Sequence, residues 1–236
     1  MHDVLLTAGL TTAFGLYLFV LLWPDRRRSL KLLHRWGVRQ PTEADVTEAQ
    51  TYLKRRRYWY PVLFLGLPFV TGPLHVLPDE NPGTGIIATL VGGGLLAELL
   101  AQRRPRHTHR EAVLARRVVT DLVPWWALAV FAATAVAAVV RLSARHVWAD
   151  LGVAGAAVLA TGLIVVLAMR RPVSGTIEVD LALRLRSARV ATALGIVVAA
   201  AQTDLPAGPW SWLGTALALA VAWSVVAPLK RVPVPA

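Results

Sequence analysis

Apolar residues fall in long runs along this chain, and charged residues gather between them. A helix needs about 20 apolar residues to cross the hydrocarbon core of a bilayer. Seven runs approach that length, at about 4–23, 59–77, 84–102, 122–140, 149–169, 187–203 and 210–228. The pattern predicts an all-α, polytopic integral membrane bundle of seven transmembrane helices, forming one membrane domain over residues 1–236. The basic residues of the first run follow it, at Arg26, Arg27 and Arg28, and none precede it. A secretory signal has the opposite order, so the first run is expected to be an uncleaved span with its N-terminus outside.

The placement of Lys and Arg tests that orientation. Cytoplasmic loops carry the excess of positive residues. With the N-terminus outside, the inner segments are 24–58, 103–121, 170–186 and 229–236, which hold 10, 6, 4 and 2 basic residues. Arg189 lies at the inner mouth of span six and can snorkel to the same side. Only Arg141 and Arg145 remain outside. A missed or invented span would reverse every later loop, so this asymmetry predicts a cytoplasmic C-terminus.

The segment 24–58 is the longest polar stretch, basic overall, and two helices are expected in it. One covers Ser29 to Trp36, with Gly37 as its stop. The other opens after Pro41, where Thr42 can cap with Asp45 three residues on. Its acids come early (Glu43, Asp45, Glu48) and its bases late (Lys54, Arg55, Arg56, Arg57), which suits the helix dipole. Val46, Ala49 and Leu53 share one face, making this helix amphipathic. Similar basic lead-in helices are expected before spans four and six. The stretch from Arg117 to Leu122 matches that from Arg189 to Leu194 at four of six positions, which suggests three repeated hairpins.

Composition agrees with the pattern. Apolar residues make up 56% and charged residues 17%, against about a quarter charged in soluble domains. Zero cysteines exclude disulfides and thiolate chemistry. The net charge of +11 could suit nucleic acid, but its confinement to one side assigns it to membrane topology, and no nucleic acid partner is expected. Arginine outnumbers lysine 22 to 3, which fits a bacterial, high-GC coding bias and hence a multi-pass protein of the bacterial plasma membrane. Trp23, Trp59, Trp125, Trp126, Trp148, Trp210 and Trp212 fall near span ends, where amphipathic rings favour the headgroup layer. Trp223 lies deeper and is expected to pack. Gly9 with Ala13, Gly92 to Gly94, and Gly152 with Ala156 are candidates for close helix contacts.

Candidate chemistry is sparse. No Gly-Lys pair, Gly-x-Ser-x-Gly elbow or His-Glu-x-x-His motif occurs. Lys31, Lys54 and Lys230 lie outside the spans or at their edges, so none can form a retinal Schiff base within the membrane. His107 and His109 lack a third ligand. No catalytic residue, cofactor or metal is therefore expected. Glu98 is the one ionisable residue well inside a span, which makes it a candidate for proton or cation handling, or for an ion pair with Arg103 or Arg104. Pro68 and Pro73 break the helical bonding of span two, and freed carbonyls at membrane depth must be covered or line a cavity. These features lead to three expectations. The first is a structural or accessory membrane subunit that docks a cytoplasmic or membrane protein through its basic face, with Arg55, Arg56 and Arg57 as contacts to a partner or to anionic lipid. The second is a small transporter or channel using Glu98 and the broken span two. The third is a membrane-embedded lipid-processing enzyme.

Overall fold

A computed structural model of the chain describes residues 23–59, 82–101, 118–170, 176–203 and 209–227, together with 9, 13, 16, 17 and 19–21. These residues are overwhelmingly helical and contain no strand. In chain order the helices are α1 (Arg26–Arg35), α2 (Glu43–Tyr58), α3 (Pro82–Ala101), α4 (Val119–Leu122), α5 (Trp125–Ala144), α6 (Trp148–Arg170), α7 (Ile177–Ala201) and α8 (Pro209–Val225).

Local sequence explains the first two. The Asp25 carboxylate accepts the Arg26 main-chain N–H at 2.7 Å and caps α1. At the other end Gly37 adopts φ +92°, and the Val38 N–H returns to the Leu33 carbonyl at 3.0 Å. A left-handed residue is needed to close a helix in this way, and glycine takes it without a Cβ clash. The turn seats Leu33, Trp36 and Val38 in the core. In α2 the Thr42–Asp45 capping box forms as expected. Val46, Ala49, Tyr52 and Leu53 are its buried apolar face.

Helix α7 is the centre of the molecule. It packs against α2, α3, α4, α5, α6 and α8. From Ala182 to Ala188 every residue is buried, whichever way it points. Its partners meet it at one end: the C-terminal turns of α3 and α6, the short α4, and the α1–α2 pair all contact residues 176–189 or one another. That end carries the basic segment 24–58.

The body is different in character. Helix α5 and the stretch Asp150–Arg170 of α6 are long and apolar enough to cross a membrane, and shorter apolar helical stretches lie at Val91–Ala101 and Leu213–Val225. Only 17% and 28% of the apolar windows of the two long helices are buried. A helix in the core of a soluble protein would be mostly buried; here Val136, Val140, Leu159 and Leu163 face outward. Such large apolar surface marks a membrane or a partner rather than water.

Several expectations need correction. The lead-in before span six is continuous with it and not a separate helix: α7 runs unbroken from Ile177 to Ala201 and pairs inward-facing charges at Asp180 and Arg184. Of the lead-in expected before span four, the described residues hold one turn, α4, after which Pro124, lacking an N–H, restarts the chain as the N-terminal flank of α5; residues 103–117 lie outside the described residues. The two copies of the suggested repeat therefore differ: one is this isolated turn and the other lies in the middle of α7. Trp223 is 71% exposed, not packed in the interior. At Gly9 and Gly152 an added Cβ would meet nothing within 4 Å among the described residues; at Gly94 it would meet the Leu194 side chain at 3.1 Å. The tightest approach is at Gly195, where a Cβ would lie 2.6 Å from Thr161 Oγ1 and 2.7 Å from the Phe131 ring. The second expected span, with Pro68 and Pro73, lies outside the described residues, as do Arg103, Arg104, His107 and His109.

Candidate functional site

Glu98 sits one turn before the end of α3 and is fully buried. Three elements surround its carboxylate. Ser187 of α7 donates its hydroxyl to Oε1 at 2.6 Å, and the Tyr52 hydroxyl of α2 donates to the same oxygen. Oε2 faces two guanidinium groups: Arg56 Nε at 2.9 Å and Arg186 Nη1 at 3.8 Å. Arg186 Nη1 also donates to the Tyr52 oxygen at 2.8 Å, and its guanidinium carbon lies 5.4 Å from the centre of the Tyr52 ring. Tyr52 thus accepts from a cation and donates to an anion. Burial, and then the negative charge of Glu98, push its phenol above the ordinary value, so it remains a protonated donor.

The geometry is that of a closed knot. Oε1 accepts two hydrogen bonds, from Tyr52 and Ser187, whereas Oε2 is held by the charge of the two guanidinium groups without a hydrogen bond among the described residues. The positions follow from helical spacing: Tyr52 and Arg56 are four apart and share one face of α2. Ser187 and Arg186 come from the fully buried stretch of α7.

A second buried arrangement lies two residues back on α7. Arg184 Nε pairs with Asp180 Oδ2 at 2.6 Å, an i,i+4 contact with both side chains buried. Its Nη1 reaches the main-chain oxygens of Ala168 and Met169 at 3.0 and 3.2 Å. These belong to the last turn of α6, whose final carbonyls have no partner within their own helix. Arg184 therefore caps α6 from the neighbouring helix.

A third contact completes the basic end. Thr176, which precedes α7, donates its hydroxyl to Asp45 Oδ1 at 2.8 Å, while Asp45 Oδ2 accepts from the Thr42 hydroxyl and N–H at 2.8 and 2.9 Å. Burial works against the Asp45 charge, but the bonds from Thr42 and Thr176 outweigh it and hold its pKa below the ordinary carboxylate range. Arg189 Nε reaches the Leu122 carbonyl at 3.2 Å and ties α4 to α7. Asp45, Tyr52 and Arg56 lie seven and four apart, so one face of α2 is fastened to the bundle along most of its length.

Of the residues singled out from sequence, Glu98 and Arg56 come together. Arg55 points to solvent, and Arg57 is partly buried. Glu98 pairs with Arg56 and Arg186. Tyr52, Asp180, Arg184, Arg186 and Ser187 carried no mark in the sequence reading. One signal was present: Asp180 and Arg184 have ion-pair spacing on a helix. Compared with family models, curated proteins and solved structures, the chain matches none.

Proposed function

We propose that this chain is a seven-span integral membrane protein of a bacterial plasma membrane, with its N-terminus outside and C-terminus in the cytoplasm. It serves there as a structural or accessory subunit that docks a protein partner through the basic α1–α2 pair. The outward apolar surface of α5 and α6 supports the membrane setting. The gathering of α1, α2, the C-terminal turns of α3 and α6 and the start of α7 at one basic end supports the alternation of spans.

The observation that carries the docking role is the closed knot at Glu98. A carrier carboxylate must exchange its partners, whereas this one is fully buried, with two hydroxyls bonded to Oε1 and two guanidinium groups beside Oε2, all supplied by α2 and α7. It acts as a fastener. The α1–α2 pair is thereby held as a rigid platform that presents Arg39, Lys54 and Arg55 outward. Preorganised surfaces of this kind bind with less ordering cost than mobile ones.

The test is extraction from native membranes in mild detergent, with mass spectrometry of what remains bound. A stoichiometric protein partner is expected, lost when Arg39, Lys54 and Arg55 are reversed to Glu. A chain that emerges alone, and whose reconstituted vesicles show an ion flux abolished by Glu98→Gln without loss of folded protein, would replace this reading with the transporter. An ionisable residue in an apolar helix is a functional hypothesis by default, which is why that second reading is an outcome of the test.

A further inference from the structure

A basic and aromatic corner lies away from the knot, where α1 meets the end of α8. The guanidinium of Arg35 sits 5.9 Å from the ring centre of Trp223. Lys31 is one turn earlier on α1, and both it and Arg35 are exposed, with no acidic partner among the described residues. His34 is exposed beside them. Leu219 is one turn before Trp223 on the same face of α8, Leu213 lies on the flank of that face, and all three are exposed. Cationic groups thus stand at the end of an apolar stripe, with an amphipathic ring between them.

That order matches a phospholipid lying along a helix: acyl chain on the leucines, glycerol region at the indole, phosphate at the cations. We infer that Lys31, Arg35 and Trp223 form a binding site for an anionic phospholipid of the cytoplasmic leaflet. The inference rests on the membrane reading given above, but not on the protein-docking role. A zwitterionic headgroup carries its own ammonium into the same cationic corner and is disfavoured. Each basic residue near a membrane surface contributes about 1 kcal/mol toward anionic lipid, so two of them correspond to a preference of roughly thirtyfold.

The full chain, purified in mild detergent, would be mixed with equal amounts of phosphatidylglycerol and phosphatidylcholine, and the lipid retained would be counted by native mass spectrometry. Phosphatidylglycerol should be retained by at least tenfold over phosphatidylcholine, at about one tightly held copy. Lys31→Gln with Arg35→Gln should erase the preference, and Trp223→Ala should shorten retention, with elution profiles unchanged because all three side chains are exposed. Equal retention of the two lipids, or an undiminished preference in the double variant, would overturn the site. An alkaline carbonate wash provides the separate check: release of the chain from membranes by that wash would sink the membrane reading itself.

Discussion

Arg184 and Arg186 stand two residues apart on one helix, both buried, both facing a carboxylate. A helix turns about 100° per residue, so the two side chains leave α7 on nearly opposite sides. Arg184 finds its anion on the same helix and spends its remaining donors on the end of α6. Arg186 finds an anion supplied by α3, shared with Arg56 and Tyr52 of α2. The first pairs two residues one turn apart on a single helix. The second exists only when three elements assemble. The same pair of ion types therefore has two effects: one finishes a helix end, and the other decides whether the α1–α2 pair is attached.

The sharpest way to break this contrast is Glu98→Ala. It leaves two guanidinium groups turned toward a site without an anion. Removing one partner of a buried ion pair costs about 3–5 kcal/mol. The expected result is a large loss of monodisperse protein in fluorescence-detected gel filtration. A variant that elutes and melts like the parent would mean that the knot contributes nothing to attachment.

Paired substitutions sharpen it further. Arg184→Met alone removes the buried cation beside Asp180, again at a cost of about 3–5 kcal/mol, whereas replacing a whole buried pair by apolar residues is often neutral. Asp180→Leu with Arg184→Met should therefore recover most of that loss, short of the capping bonds to α6. Glu98→Leu with Arg186→Met should not recover in the same way, because Arg56 loses the negative charge beside it and the hydroxyls of Tyr52 and Ser187 lose their bond to Oε1. Thermal melts of the four variants decide the matter. Equal recovery in both pairs would remove the distinction between local and shared arrangements.

Tyr52→Phe is the milder probe of the knot. It removes the hydroxyl that links Arg186 to Glu98, an interaction whose loss costs about 1–3 kcal/mol when its partners stay buried. Amide hydrogen exchange in α2 should rise, while exchange in the 182–188 stretch of α7 should hold. Uniform acceleration in both would show that Tyr52 supports the whole bundle and not the attachment of α2.

The contrast also explains what could be read from sequence. The ends of α1 and α2 were legible because their signals are local: Gly37 as a stop, and Thr42 with Asp45 as a capping box. Glu98 was legible because a carboxylate in an apolar run is conspicuous. Its partners were not, since Tyr52 is 46 residues away and Ser187 is 89. No periodicity links such positions. The burial of the first turns of α7 was not legible for a related reason. Glu178, Asp180, Arg184 and Arg186 interrupt the apolar run and set the limit of the expected span, yet three of the four are buried. Charges that are paired can lie inside a helix bundle, and pairing across helices is invisible to a window that scores each residue alone.

The smallest expected effect tests the outer edge of the same attachment, at Asp45. Its folded pKa is held below the value of about 3.9 usual for an unfolded chain. A depressed carboxylate pKa stabilises the fold above the unfolded value, and the contribution disappears as pH falls through the folded one. The melting temperature should therefore decline on acidification below about pH 4, and Asp45→Asn should flatten that part of the curve. Thr42→Ala removes one of the bonds that sustain the depression, from the Thr42 hydroxyl to Oδ2, and with it the cap bond from the Asp45 N–H to that hydroxyl. It should cost about 1 kcal/mol at neutral pH, the usual worth of a helix cap, and move the acid decline to higher pH. Thr176→Ala removes only the contact to α7, so it should move the decline less than Thr42→Ala and lower the neutral melting temperature least of all. If Thr176→Ala instead shifted the curve more than Thr42→Ala, the bond between helices would outweigh the cap, and Asp45 would belong with Glu98 as a shared fastener and not with Asp180 as a local one.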